Sequence, residues 1–400
     1  MVRIIRLLVI VSLVCSAATR AEEPATVEQA RQTISRSLPF IEREGVAWKE
    51  KRKCVTCHQV STLVWSFREA RQRGFEIDSS KLKEWSEWSL NNEFGGNGFY
   101  KLTNASLEAL EKEGLDAETL TKLQPLKGQE FVTESELFEA IGKLVTPEAA
   151  VAHKAVMLKS AAKPGVAPGA QPGDGAPHSI MLRSGAVAET ASPNRSLAVL
   201  FEGLRATQQP DGTWRSSGQF LAMNRPKEES NLVNTMWIVL GLAKYQPLPE
   251  SMIQARKRAQ QAIQKGAPGV STESLMLRLL LSQSSGMPLN TELLEQLLKA
   301  QRADGGWAWR SEPQANPDSD PLTTGQVLYG LGVLGRSQPD PQVQRAWSYL
   351  GRTQLSDGSW SVPWLTFMAE NNKDHADGDK IFSYWGTTWS VLGLLNTLPK

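Results

Sequence analysis

Two cysteines and a histidine are the residues best suited to chemistry in this chain. They form the run Cys54-Val55-Thr56-Cys57-His58, a C-x-x-C-H pattern. Two thiols at this spacing can form thioether bonds with the vinyl groups on one edge of a porphyrin, and the adjacent imidazole can ligate the iron. The pattern predicts one covalently bound haem c, held by Cys54 and Cys57, with His58 as the proximal metal ligand.

Two other uses of a C-x-x-C pair fit the chain less well. A thioredoxin-type dithiol needs a βαβ setting, and the surroundings of Cys54 read as helical. A structural zinc site needs four ligands, and the sequence has no second Cys/His pair at a suitable spacing. Four basic residues precede the motif: Lys49, Lys51, Arg52 and Lys53. Their side chains could pair with the propionate groups of a haem.

The second axial ligand of the predicted haem is harder to place. Residues 59–152 contain no methionine and no histidine. The next candidates are His153 and Met157, followed by His178 and Met181. We therefore expect either a five-coordinate haem or a sixth ligand from a distant part of the fold, which disfavours a free-standing cytochrome c domain.

The first 21 residues have the composition of an export signal. A basic start precedes the apolar run Leu7–Val14, and small residues follow, with plausible cleavage after Ala18 or Ala21. The apolar run is too short for a comfortable membrane span, and Val14 is too large for a lipoprotein site at Cys15. We expect a periplasmic protein with no retained membrane anchor and with Cys54 and Cys57 as its two remaining cysteines.

Composition and charge exclude several classes of protein. With 400 residues, 40% hydrophobic and 22% charged, the chain is too apolar to be disordered. Three cysteines form too few disulfide bonds to stabilise a chain of this length. Removal of residues 1–21 takes away three arginines and no acid, so the formal net charge falls from +2 to −1. Without a basic excess, nucleic acid is not an expected partner.

The second half of the chain contains an internal repeat of the form Q-x-x-D-G-x-W. It occurs at residues 208–214, 301–307 and 354–360. Each copy ends a helical stretch and is followed, after a loop, by a helix of small and apolar residues, at 234–242, 323–331 and 386–394. The repeat predicts helical hairpins in which Asp-Gly makes the turn, the glycine is left-handed, and the second helix forms a buried inner layer.

This repeat resembles the QW motif of squalene–hopene cyclases and related prenyltransferase-type α/α toroids. The resemblance implies an all-α fold, a ring of helical hairpins in which most of the tryptophans are packing residues. Residues 194–246, 251–287, 289–337 and 341–398 give four hairpins. Residues 27–73 give a fifth, with Gly45 and Trp48 at its turn and the haem motif in its loop. Helices around 107–123 and 134–144 are expected to supply a sixth.

The predicted domain organisation has two versions. In the first, an N-terminal helical segment with the haem motif (22–158) is followed by a flexible Pro/Gly/Ala-rich loop (159–193) and a QW-repeat toroid (194–400). In the second, residues 22–400 form one closed toroid of up to six hairpins.

The resemblance to cyclases also raises a catalytic candidate. Those enzymes protonate an alkene with an acid in a D-x-D-D motif. The nearest match here is Asp318-Ser319-Asp320-Pro321, in which proline stands in place of the final aspartate. Asp320 is either a catalytic acid or the N-cap of a helix that Pro321 opens. The sequence leaves both roles open.

Three functions remain open at this stage. The first is an exported haem c protein of electron transfer or redox chemistry, with a redox partner protein and a possible apolar small molecule in the toroid cavity. The second is a terpenoid cyclase or isomerase that uses Asp320. The third is a non-catalytic toroid that serves as a binding scaffold.

Overall fold

The computed structural model describes residues 25–52, 59–93, 100–132, 134–161, 176–216, 225–284, 288–311, 318–363 and 375–399. The export signal predicted at 1–21 and the haem motif at 54–58 lie outside these residues.

Helices make up most of the described residues. In chain order the elements are α1 (Val27–Arg52), α2 (Val60–Gln72), α3 (Ser79–Glu93), β1 (Tyr100–Lys101), α4 (Asn104–Lys112), α5 (Ala117–Leu123), β2 (Glu130–Phe131), α6 (Glu134–Gly142), α7 (Pro147–Ala152), α8 (Lys154–Ala161), α9 (Ala176–Ser184), α10 (Pro193–Thr207), α11 (Lys227–Leu242), α12 (Glu250–Lys265), α13 (Thr272–Ser284), α14 (Thr291–Lys299), α15 (Pro321–Val333), α16 (Pro341–Thr353) and α17 (His375–Thr397).

Six of the described helices form a closed inner ring. Around the ring, α2 packs on α9, α9 on α11, α11 on α13, α13 on α15, α15 on α17, and α17 returns to α2. Each inner helix is preceded in the chain by an outer helix; in the same order, these are α1, α3, α10, α12, α14 and α16. The fold is therefore an α/α toroid of six hairpins, and one apolar core runs through all of them.

Glycines allow the closest approach within the inner ring, between α15 and α17. A Cβ atom on Gly325 would lie 2.3 Å from the backbone of Trp389, and one on Gly393 would lie 2.5 Å from the Gly325 carbonyl oxygen. Since these distances are far below van der Waals contact, a larger residue at either glycine would push the two helices apart. This explains the small residues in the inner helices that the sequence placed in a buried layer.

Each of the three predicted repeats joins its own outer helix to the next outer helix of the ring. The amide nitrogen Nε2 of Gln208 donates to the Ala255 carbonyl oxygen of α12 (2.8 Å), and that of Gln301 donates to the Gln342 oxygen of α16 (2.9 Å). In the third copy, Gln354 donates to the Thr33 oxygen of α1 (2.9 Å), which closes the ring.

The repeat tryptophans tie each turn to its own hairpin. Indole Nε1 of Trp214, Trp307 and Trp360 donates to a carbonyl near the end of the preceding outer helix, at 2.8, 2.8 and 2.9 Å. The backbone N–H of each of these tryptophans donates to a threonine hydroxyl of the following inner helix. All three side chains are fully buried, and the expectation that they are packing residues is confirmed.

The sixth hairpin differs from the one that the sequence predicted. Helices α4 to α8 and the small antiparallel pair β1–β2 form an insertion with an apolar core of its own, so residues 107–123 and 134–144 are not part of the ring. The hairpin consists of α3 and α9, which come before and after this insertion. Amphipathic helices can build either a separate core or a ring, and their pattern does not distinguish the two.

Two local expectations are also corrected. The predicted loop 159–193 contains helix α9, in which Met181 and Leu182 are buried in the toroid core. Gly45 and Trp48 do not form a turn, because α1 continues through them to Arg52. In both places tertiary packing overrides what the local composition favours.

Gly358→Ala tests the closure of the ring, with Gly335→Ala as its matched control. Both glycines have positive φ, +86° and +80°, so alanine costs roughly 1–2 kcal/mol at either position. At Gly358 the new Cβ would also lie 2.0 Å from the Arg36 carbonyl oxygen of α1, whereas nothing lies within 4 Å at Gly335.

We therefore expect Gly358→Ala to lower the free energy of unfolding by about 3 kcal/mol or more, well beyond the loss in the control. Urea denaturation followed by circular dichroism measures both losses. Equal losses in the two variants would contradict a ring closed between the third repeat and α1.

Candidate functional site

The predicted haem motif lies between two described ends of the chain. Helix α1 ends at Arg52, and the chain is described again from Gln59, directly before α2. Cys54, Cys57 and His58 themselves lie outside the described residues, so haem attachment stays a prediction. The end of α1 and the chain from Gln59 form the two described flanks of the motif.

A cavity of about 520 Å³ lies against both flanks of the motif. Its described lining comes from α1, from the chain just before α2, from the turn of the third repeat and from the first part of α17: Phe40, Arg43, Glu44, Ala47, Trp48, Lys51, Gln59, Asp357, Ser359, Asp379, Lys380, Ile381, Ser383 and Tyr384. Its volume lies within the range of roughly 300–1,000 Å³ that is typical of sites for organic ligands.

The lining combines aromatic walls with charged groups. Phe40, Trp48 and Tyr384 supply aromatic surface. Arg43 lies with its guanidinium carbon 5.2 Å from the centre of the Phe40 ring, and Lys51 is the last lining residue before the motif. The described lining also contains three acids, Glu44, Asp357 and Asp379, and Arg43 is ion-paired with Glu44 (2.9 Å). A flat, largely apolar ligand suits such a cavity, because its plane can pack on aromatic surface, and Lys51 and Lys380 are cations that can meet carboxylate groups at its edge.

Tyr384 connects three parts of the chain at this cavity. Its phenol is 2% exposed, and its hydroxyl lies 3.1 Å from the carbonyl oxygen of Gln59 and 3.3 Å from that of Ile41, to which it can donate. Burial raises the pKa of Tyr384 well above its ordinary value, so the hydroxyl keeps its proton. Tyr384 thus fixes the residue that directly follows His58 to both α1 and α17.

None of the predicted candidates for a sixth haem ligand belongs to the described lining of this cavity. Met157 is buried in the core of the insertion, and Met181 is buried in the core of the toroid. His153 caps the C-terminus of α7 and is half-buried. His178 lies on α9, and its side chain is outside the described residues. Both methionines have packing roles that their sequence context did not reveal.

Sequence reasoning missed Tyr384. Its hydroxyl bonds carbonyl groups that are far away along the chain, and no local pattern encodes such contacts. Asp379, which also lines the cavity, lies on α17, and His375 begins that helix one turn earlier. The side chain of His375 lies outside the described residues.

Asp320 caps a helix. Its Oδ1 accepts a hydrogen bond from the Thr323 N–H of α15 (2.7 Å), and Pro321 is the first helical residue. The other oxygen, Oδ2, is buried with no hydrogen-bond partner among the described residues. Burial raises the pKa of Asp320 to about 7. Asp320 does not belong to the described lining of the cavity beside the motif.

The axis of the ring is filled by side chains. Four aromatic residues meet there, each from a different inner helix: Trp65, Trp237, Tyr329 and Trp389. Arg183 of α9 inserts between them, with its guanidinium carbon 3.5 Å from the centre of the Trp237 ring. The axial space in which a toroid could hold an apolar molecule is therefore occupied at this level by the chain itself.

The described residues contain neither a metal-binding cluster nor a membrane-spanning helix. No group of three or more His, Cys, Asp and Glu side chains within them is arranged to hold a metal ion. None of the described helices combines the length and the apolar character that a membrane crossing requires.

Comparison with known proteins adds little to this geometry. No protein-family profile matches the chain, and no curated protein matches it. One solved structure, described as a glycosidase variant, aligns with a TM-score of 0.49 and 10% identity, covering 93% of this chain and 98% of that chain. A likeness this distant carries no information about chemistry. The α/α toroid is defined by the packing of the chain's own helices, and the C-x-x-C-H run lies between α1 and α2 in the chain.

Asp320→Asn tests the electrostatics of the buried cap. The carboxyl has a raised pKa in the folded state, so its contribution to stability is fully present below about pH 4 and is lost as the pH rises to about 7. The cost of ionisation in the folded state is at most about 4 kcal/mol. Asparagine keeps an oxygen that can accept from Thr323 N–H, without any charge.

We compare the free energy of unfolding of Asp320→Asn with that of the wild type at about pH 5 and at about pH 8. The difference, variant minus wild type, should increase by a few kcal/mol from the lower to the higher pH. Urea denaturation at the two pH values gives the difference. If the two proteins showed the same pH dependence, Asp320 would be ionised at neutral pH and its surroundings more polar than described here.

Proposed function

We propose that the chain is an exported, periplasmic haem c protein that acts in electron transfer or redox chemistry with a redox partner protein. One observation carries the proposal: the cavity of about 520 Å³ lies directly against both flanks of the C-x-x-C-H run. Its size, its aromatic walls and its cations fit a porphyrin with two propionate groups. A haem bound covalently to the C-x-x-C-H run would lie next to a cavity whose lining can accommodate it.

Each residue of the proposed site has a distinct role. Cys54 and Cys57 would form the thioether links, and His58 would ligate the iron. Phe40 and Trp48 would cover the porphyrin faces and exclude water, while Lys51 and Lys380 would meet the propionates. A bound haem supplies one-electron redox chemistry, and its potential depends on the ligands and on the burial that the chain provides.

The sixth ligand is open in this proposal. His153, Met157, His178 and Met181 remain candidates, but the burial of the two methionines in separate cores favours a group nearer to the cavity. We add His375 on its position in the chain alone, because it begins α17 one helical turn before Asp379 of the described lining. Its replacement by alanine should change the spin state of a six-coordinate haem without releasing the haem.

Cys54→Ser/Cys57→Ser tests the attachment itself, with Cys15→Ser as its matched control. Thioether bonds require both thiols, so we expect the double variant to lose covalent haem completely while the control retains it. Haem staining after denaturing electrophoresis of protein exported in a host with cytochrome c maturation gives the readout. Covalent haem in the double variant, or none in the wild type, would contradict the proposal.

Tyr384→Phe tests the positioning of the proximal segment. Loss of the hydroxyl removes the bonds to Gln59 and Ile41, which should cost about 1 kcal/mol of stability. We also expect a shift in the haem absorption bands and midpoint potential, because Gln59 directly follows His58.

Tyr245→Phe is the control for this variant. The Tyr245 hydroxyl donates to the Leu182 carbonyl oxygen (3.0 Å), and Tyr245 does not line the cavity beside the motif. Its loss should cost similar stability and leave the haem spectrum unchanged. If both variants left the spectrum unchanged, Tyr384 would have a purely structural role.

A second candidate function is a terpenoid cyclase or isomerase. One observation favours it: Asp320 has a buried oxygen with no described partner and a pKa near 7, as an acid catalyst requires. Against it, Asp320 caps α15, and Arg183 occupies the axis of the ring. Incubation of the protein with a polyprenoid, followed by mass spectrometry, decides between the two, since a cyclase would form a product that Asp320→Asn does not form.

A further inference from the structure

We propose that the axis of the toroid is a binding site for a guanidinium cation and that Arg183 is its built-in ligand. The site consists of the aromatic box Trp65, Trp237, Tyr329 and Trp389. This proposal does not depend on the haem, because the box lies among the inner helices and its ligand comes from α9.

The geometry of the box is that of a cation held by aromatic faces. The guanidinium carbon of Arg183 lies 3.5 Å from the centre of the Trp237 ring, 4.6 Å from that of Trp65 and 5.2 Å from that of Trp389. Each distance is within the roughly 6 Å over which a cation is attracted to an aromatic face. The rings also support one another, since Trp65 meets both Tyr329 and Trp389 edge to face at 5.3 Å.

Among the described residues, neither a hydrogen bond to Nε nor an ion pair accounts for the position of Arg183. The residue is 4% exposed. Burial lowers the pKa of Arg183 to about 9, partly offset by Tyr329 and Glu273, so the side chain remains a cation at neutral pH. The aromatic faces are therefore the main contacts of a buried charge.

An acid lies beside the box. Glu273 accepts from Trp237 Nε1 (2.8 Å) and from Gln326 Nε2 (3.2 Å) through Oε1, and from Arg225 Nη1 (3.1 Å) through Oε2. Its charge favours the cationic form of Arg183.

The backbone on either side of Arg183 is held in place independently of the box. The Tyr245 hydroxyl donates to the Leu182 carbonyl oxygen (3.0 Å), and Lys244 Nζ donates to the Arg183 carbonyl oxygen (3.2 Å). Gly241 permits this approach, because a Cβ there would lie 2.8 Å from the Leu182 side chain. Removal of the Arg183 side chain should therefore leave α9 in the ring and an empty box beside it.

Arg183→Ala with added ethylguanidinium tests the proposal, because this ion replaces the atoms that the substitution removes. Without the ion, we expect the melting temperature of the variant to fall by on the order of 4 °C, since several cation–π contacts are lost. Millimolar ethylguanidinium should restore most of this loss with saturable dose dependence. Ethylurea, a neutral molecule of the same shape, should not restore it, and neither compound should stabilise the wild type.

Arg183→Met provides the matched control, because methionine fills the box without a charge. It should be destabilised and insensitive to ethylguanidinium. If Arg183→Ala does not fold alone, the proposal requires that refolding yield rise with ethylguanidinium and not with ethylurea. Three results would overturn it: a variant as stable as the wild type, equal effects of the two compounds, or no effect of ethylguanidinium on either stability or refolding.

Discussion

The contact between each repeat turn and the next outer helix is the interaction on which the rest of this fold depends. In all three copies the glycine touches backbone, since a Cβ there would lie 2.6 Å, 2.4 Å and 2.0 Å from a carbonyl oxygen of the following outer helix. The repeat glutamine donates to a carbonyl of the same helix. A helical hairpin cannot bury its own apolar face, so these contacts supply the neighbour that each hairpin needs.

Closure of the ring also builds the proposed site. The third repeat meets α1, and the cavity beside the C-x-x-C-H run is lined by that repeat turn, by α1 and by α17. The first and last hairpins thus contribute opposite walls of one space. Inside the ring, the axis is filled by an aromatic box around Arg183, which favours chemistry at the rim of the toroid over chemistry at its centre.

The sequence predicted the parts of this structure that rest on local chemistry. Asp-Gly turns and buried repeat tryptophans each depend on a few neighbouring residues, and both are present. Of the two roles left open for Asp320, the structure shows the helix cap. It did not predict α9 or the role of Tyr384. Helix α9 has nine residues and a composition typical of a loop, so its burial follows from the ring around it. Tyr384 meets Gln59 across 325 residues, a contact that no local pattern encodes.

An absorption spectrum of the exported protein, oxidised and reduced, tests the central claim most directly. Covalent haem at the cavity predicts a strong Soret band, with sharp α and β bands on reduction if the iron is low-spin, that persists through acid–acetone extraction. The same spectrum reports whether a sixth ligand is present. A matured protein with no haem absorption would contradict the account and leave the C-x-x-C-H run without the function assigned to it.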